Sequence, residues 1–260
     1  MKIGLFIPCF MNELYPDACV ATLKLLKKLD LDVEYPTEQT CCGQPMANSG
    51  CSKDMKALAY RFVETFKKYD YIVAPTGSCV TMVKEHYEPF FDEDDKDYSK
   101  VKTSIYEVTE FIHDIIKPEK IDSFFPYKVG VHNSCHGHRA LKLGSATELN
   151  IPHFNKLKNL LKLVDGIEIV DLKRDDECCG FGGTFCVTEE ELSVAMGKAR
   201  VEDHLSSNAQ VMTGADMSCL MHMDGLINRN NYPIKVMHIV QILAGEELWV
   251  QIMQKMPKSS

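Results

Sequence analysis

The sequence predicts an α/β fold built twice: two similar βαβ-type domains from an internal duplication, each a parallel sheet with cysteine-bearing loops at its strand C-terminal edge. Three observations predict it. Short β-like apolar runs alternate with longer stretches whose apolar residues recur at helical spacing. Four segments recur in one order in the two halves. An adjacent cysteine pair before a glycine closes the second segment of each half, as TCCGQP at 40–45 and ECCGFGG at 177–183.

The first repeated segment is KIGLFIPC, a strand running to Cys9, matched by YKVGVHNSC running to Cys135. Next, LDVEYPTEQTCCG and IEIVDLKRDDECCG pass from a short strand through a polar loop to Cys41–Cys42 and Cys178–Cys179. The third pair, YDYIVAPTGSC and AQVMTGADMSC, ends in loops at Cys79 and Cys219. The last, KTSIYEVTEFI and PIKVMHIVQIL, reads as a strand followed by a helix start.

Helices are expected between these segments. Pro16 suits the first turn of a helix after Cys9. Ser52 is placed to cap a helix with Met55, Leu58, Ala59, Phe62 and Phe66 on one face. Thr188 and Glu191 form a capping-box pattern before Leu192, Ala195, Met196 and Ala199. Cys9 and Cys41 have 31 residues between them and Cys135 and Cys178 have 42, a surplus that reads as an added helix around NIPHFNKLKNLLKLV. The acidic run DEDDKDYSK (92–100) reads as a solvated loop. The boundary falls within 117–128, giving domains at 1–122 and 123–260.

Composition narrows the function. With 260 residues, 45% hydrophobic and 25% charged, each half can bury a core. A formal charge of −8 argues against nucleic acid as a partner, because phosphate neutralisation needs a basic face. No stretch approaches the ~18 apolar residues of a transmembrane segment, and the start MKIGLFIPCF lacks a signal-peptide cleavage site. The expected address is the cytoplasm, with any membrane association made through partners. Thiols stay reduced there, so eleven cysteines point to metal or redox chemistry.

Loops beyond the carboxyl ends of parallel strands gather on one edge. Cys9, Cys41, Cys42 and Cys79 should therefore converge, as should Cys135, Cys178, Cys179 and Cys219. Four thiols per half suit an iron–sulfur cluster or a structural zinc. Adjacent cysteines are awkward on one tetrahedral ion, but each can take a different iron of a cluster. Gly43 and Gly180 then let the backbone turn sharply beside an inorganic core. This favours one or two iron–sulfur clusters of 4Fe-4S type; zinc and buried redox thiols are the alternatives.

These residues resemble the cysteine-rich CCG domain, present twice in a redox component of heterodisulfide reductase. More closely, IGLFIPCF, QTCCGQP, CCGFGGTF and DMSCLMH are similar to the lactate-utilisation protein A family. That resemblance implies an iron–sulfur electron-transfer subunit in a complex oxidising L-lactate to pyruvate, inactive alone. The implied partners are a ferredoxin-like iron–sulfur protein and a third small subunit. The broad pattern ends in CxxC, whereas this chain has CVTM ending at Met82 and CLMH ending at His222. Thioether is a weak ligand for cluster iron and imidazole a recognised one. The expected set is thus four thiolates per half, with His222 an optional extra ligand. The competing functions are a catalytic subunit in the manner of heterodisulfide reductase, and a zinc-stabilised interaction module.

Around Cys135, HNSCHGHR places His132 and His136 to donate hydrogen bonds to cluster sulfur, with His138 and Arg139 as partner or substrate contacts. Cys19 reads as core, His238 as structural. Cys51 and Cys186 follow their pairs at unequal distances and are left out of the ligand set.

Overall fold

A computed structural model of the chain describes residues 1–245, Trp249, Val250 and Met253. The first half holds strands β1 (Lys2–Leu5), β2 (Asp32–Glu34), β3 (Tyr71–Ala74) and β4 (Ile105–Glu107). Its helices are α1 (Cys9–Leu14), α2 (Pro16–Lys28), α3 (Gln44–Asn48), α4 (Ser52–Phe66), α5 (Gly77–His86), α6 (Lys96–Ser104) and α7 (Val108–Phe111). The second half holds β5 (Lys128–Val131), β6 (Glu168–Val170), β7 (Val211–Gly214) and β8 (Lys235–His238). Its helices are α8 (Lys156–Leu161), α9 (Phe185–Thr188), α10 (Glu190–Ser206), α11 (Met217–Asn230) and α12 (Ile239–Ala244).

The strands form two four-stranded sheets, ordered β2-β1-β3-β4 and β6-β5-β7-β8, parallel throughout. Registers correspond: Ile3 pairs with Tyr71 as Val129 pairs with Val211. In each sheet the chain leaves the first strand toward one side and returns on the other. The crevice at that reversal, between β1 and β3 or β5 and β7, is where such folds bind ligands. Both sheets are covered by helices, and Ile3, Phe6, Phe62, Phe66, Ile72 and Val73 belong to the buried core of the first half.

The halves interlock. Helix α12 packs on α2 and α7 packs on α8, so each half's last helix covers the other's first connection. Helix α8 is therefore the counterpart of α2, rather than an added helix. The surplus residues lie ahead of it, in a loop closed by a bridge between Gly144 and Asn155. The acidic run is only partly loop: Asp95 accepts from the Tyr98 amide at 2.8 Å and starts α6 at Lys96. The capping box expected at Thr188 is also replaced, since Thr188 ends α9 and α10 starts at Glu190 without a side-chain cap. Pro16 does open α2, and Cys51, next to Ser52, holds the cap position of α4.

The faces of α4 and α10 differ in kind. α4 buries Met55, Ala59, Phe62, Val63 and Phe66. α10 buries Ser193, Gly197, Arg200, Val201 and His204, while Leu192 is exposed. Each of these pairs lies 138 positions apart. The apolar spacing through Leu192 and Ala195 thus marked the outer side of α10, because the inner side is polar.

Candidate metal centres

The cysteines stand where strands give way to helices. Cys9 opens α1, and Cys79 and Cys219 are the third residues of α5 and α11. They therefore occupy first helical turns rather than loops, where unpaired backbone amides favour negative charge. Gly43 and Gly180 hold left-handed φ of 85° and 86°, which turns each cysteine pair back toward its sheet edge. Each glycine also donates its amide to the sulfur two residues before it, Gly43 to Cys41 at 3.4 Å and Gly180 to Cys178 at 3.3 Å.

In the first half the Cys9 and Cys41 sulfurs lie 3.4 Å apart and the Cys42 and Cys79 sulfurs 3.3 Å apart. Hydrogen bonds from the Cys42 and Cys9 thiols hold Cys41 far below the usual thiol range, at about 3. The same contacts, with burial, push Cys9 and Cys42 well up. The second half repeats this: the Cys135 and Cys179 thiols hold Cys178 down to about 2, while Cys135 and Cys179 are raised. Sulfurs this close cannot all ionise unaided, because each thiolate raises its neighbours. A polynuclear cationic core would let all four do so, and soft thiolates are the donors it selects. The residues fit an iron–sulfur centre in each half. Cys9 is exposed and Cys41 half-buried, whereas Cys42 and Cys79 are buried, so the first group reaches the surface at Cys9.

The two sites adjoin across the domain junction. Buried Asp216 accepts from the Ser78 amide at 2.8 Å through Oδ2 and from the Ser218 hydroxyl at 2.6 Å through Oδ1. One carboxylate thus fixes the residues preceding both Cys79 and Cys219. Gly77 packs on the backbone of Gly137, so a Cβ there would lie 3.3 Å from the Gly137 nitrogen. Gly183 likewise lies against Asn48 of the other half.

The remaining residues separate. His222 turns Nε2 to the Ser193 carbonyl at 3.2 Å and lies tilted at 54° to Phe181, with ring centroids 6.2 Å apart. Met82 is core. His136 starts a π-helical turn, half-buried, and His138 is buried behind it. Arg139 pairs with Glu148 at 2.6 Å, and Asp176 lies 3.8 Å away. Cys19 is buried on α2, and Cys186 donates to the Gly183 carbonyl at 2.9 Å. His238 caps α12. His132 is different: a ring nitrogen lies within 4.8 Å of the Cys179 and Cys219 sulfurs. Burial, then nearby Arg200 and His204, keep it neutral, with a pKa well below the usual imidazole range. Sequence reasoning missed Arg200 and His204, which lie behind it; their alignment with Phe62 and Phe66 was the available signal.

Comparison with known proteins agrees with this architecture. The cysteine-rich domain family model, CCG, matches residues 3–84 and again 129–224. A lactate utilization protein A from Geobacillus sp. is 40% identical over 246 residues, covering 94% of this chain and 99% of that one. Lactate utilization protein A 1 of Bacillus mycoides is 37% identical over 247 residues, covering 94% and 96%. A hypothetical protein from Helicobacter pylori shares the fold at a TM-score of 0.57 with 9% identity; the match covers 93% of this chain and 48% of that one. Among the described residues no helix is long and apolar enough to cross a membrane. With two matched copies of the domain and this identity over nearly its whole length, the chain belongs to the CCG cysteine-rich domain family, among the lactate utilization A proteins.

Proposed function

We propose that this protein is an iron–sulfur electron-transfer subunit of a multi-subunit complex that oxidises L-lactate to pyruvate. The observation that carries it is the gathering of two four-sulfur groups at two equivalent sheet crevices that adjoin across the domain junction. Cys9, Cys41, Cys42 and Cys79 would hold one cluster and Cys135, Cys178, Cys179 and Cys219 the other. Such clusters supply reversible one-electron transfer. The chain's own residues bury each group on the sheet side, aim amides at sulfur from Gly43 and Gly180, and fix the junction through Asp216. Lactate oxidation releases two electrons and two protons, and two adjoining one-electron sites match that count. The exposed edge at Cys9 is a natural contact for a ferredoxin-like partner, with a third subunit completing the complex.

Anaerobic iron and sulfide analysis with electron paramagnetic resonance tests this, on wild type and on Cys41→Ser and Cys178→Ser. Each variant should lose a separate signal and about half the iron. Oxygen-free protein holding zinc, or no metal, overturns the reading.

A further inference from the structure

Three positions that build an aromatic wall in the first half carry nitrogen in the second. Phe6 and His132 each follow the first strand of their sheet by one residue, and each donates its amide to the neighbouring strand, at 2.9 and 2.7 Å. Phe62 and Phe66 correspond to Arg200 and His204 on the matching helix face. In the first half the three rings pack edge and face, with centroids at 4.9, 5.7 and 4.6 Å. All six side chains are no more than 1% exposed.

The fold itself therefore works with hydrocarbon at these places. A buried polar group left unpaired carries its full desolvation penalty. Yet both ring nitrogens of His132 lack a hydrogen-bond partner, as do His204 Nε2 and two guanidinium nitrogens of Arg200. Arg200 is otherwise held by Asp203 at 3.0 Å, and His204 Nδ1 by the Arg200 carbonyl at 2.9 Å. Nitrogen without a protein partner, fully buried and beside two cysteine sulfurs, has the chemistry of a ligand waiting for metal.

We propose that His132 supplies a ring nitrogen to iron in the second centre, making it a mixed thiolate–imidazole site while the first is thiolate only. This rests on the iron–sulfur reading above. The assignment places the extra ligand on the strand side of the site rather than at His222, whose Nε2 is already engaged. His204 lies behind His132 without bonding to it: its Nδ1–H goes to a carbonyl, its Nε2 is an acceptor that meets no protein donor, and Gly130 leaves room for the ring on β5. With an added imidazole and the buried Arg200–Asp203 pair behind it, against hydrocarbon behind the first, the second centre differs from the first in potential.

The test is pulsed electron paramagnetic resonance on anaerobic protein grown with 15N-histidine, comparing wild type, His132→Phe and His132→Cys. The signal lost in Cys178→Ser should show a nitrogen coupling of coordinating strength, and the signal lost in Cys41→Ser should not. His132→Phe, which installs the first half's residue, should abolish the coupling. His132→Cys should keep the iron content, lose the coupling and shift that signal to a lower potential. A coupling that survives in His132→Cys, or that disappears only in His222→Phe, overturns the proposal. So does a second-centre signal without nitrogen coupling in wild type. Absence of iron from both halves overturns the iron–sulfur reading, and this assignment with it.

Discussion

Phe6 and His132 leave equivalent strands at equivalent registers, yet one faces two phenylalanines and the other an arginine and a histidine. The two halves share sheet order, cysteine placement and the left-handed glycine turn. They differ in what stands behind the sulfur. Hydrocarbon in the first half lowers the local dielectric and offers sulfur no donors. The second half puts a buried Arg200–Asp203 ion pair and unsatisfied nitrogen in the same place. A duplicated scaffold thus keeps its cysteines in place while the wall behind them changes from hydrocarbon to nitrogen.

Exchanging the wall residues is the most disruptive way to probe this. Phe62→Arg would bury a guanidinium where the first half has Thr65 in place of the second half's Asp203. An unpaired buried charge of this kind costs on the order of 3–5 kcal/mol. Thermal denaturation followed by circular dichroism should show loss of cooperative folding in the first half. Arg200→Phe also breaks a buried ion pair but should fall at the lower end of that range, about 3 kcal/mol, because Asp203 keeps the Lys173 and Arg174 amides. Equal effects of the two exchanges would mean that the walls are not specialised.

The same contrast explains what the sequence made legible. The parallel α/β architecture, its duplication, the approach of the cysteines to one another and the glycine turns could be read, because β-branched runs, cysteines and CCG are local and recur in sequence. The inner face of α10 could not: periodicity arguments assume that the buried side is apolar, and Ser193, Gly197, Arg200 and His204 break that assumption. Likewise, the family's CxxC template drew attention to His222, while His132 occupies a place where the first half has an ordinary core phenylalanine. The placement of α8 depended on which half it covers, a tertiary fact with no local marker.

The glycines of the two cysteine turns sharpen the comparison at intermediate size. Both sit at positive φ, so alanine at either meets about 1–2 kcal/mol of backbone strain. At Gly43 a Cβ would touch nothing nearer than 3.6 Å. At Gly180 it would lie 2.7 Å from the Ser193 carbonyl oxygen, backbone that cannot swing aside. Gly180→Ala should therefore cost at least about 3 kcal/mol, adding an overpacking penalty to the strain, and should empty the second centre, whereas Gly43→Ala should keep the first. Iron content per variant, with urea unfolding, measures both. A Gly43→Ala protein that loses its iron would show that the first turn is as tightly constrained as the second.

The most gradual effects, spread over several pH units, concern the caps that end each sheet. Glu107 of β4 and His238 of β8 occupy matching, fully buried positions, and each accepts amides of the helix that follows. Burial pushes the Glu107 carboxyl up to about 8 and the His238 imidazole down to about 4. Between about pH 4.5 and 8 the folded protein holds a proton on Glu107 that the unfolded chain has released, so that contribution is complete in acid and falls as pH rises. For His238 the unfolded chain binds the extra proton between about pH 4 and 6.5, so its contribution is complete above 6.5 and falls as pH drops. Each slope is at most about 1.4 kcal/mol per pH unit. Chemical denaturation across pH 4–9 should show Glu107→Gln flattening the alkaline limb and His238→Asn the acid limb, since both substitutes retain an acceptor for the cap. If Glu107→Gln leaves the alkaline limb unchanged, the buried carboxyl is not neutral, and the first half holds a charge at this position after all.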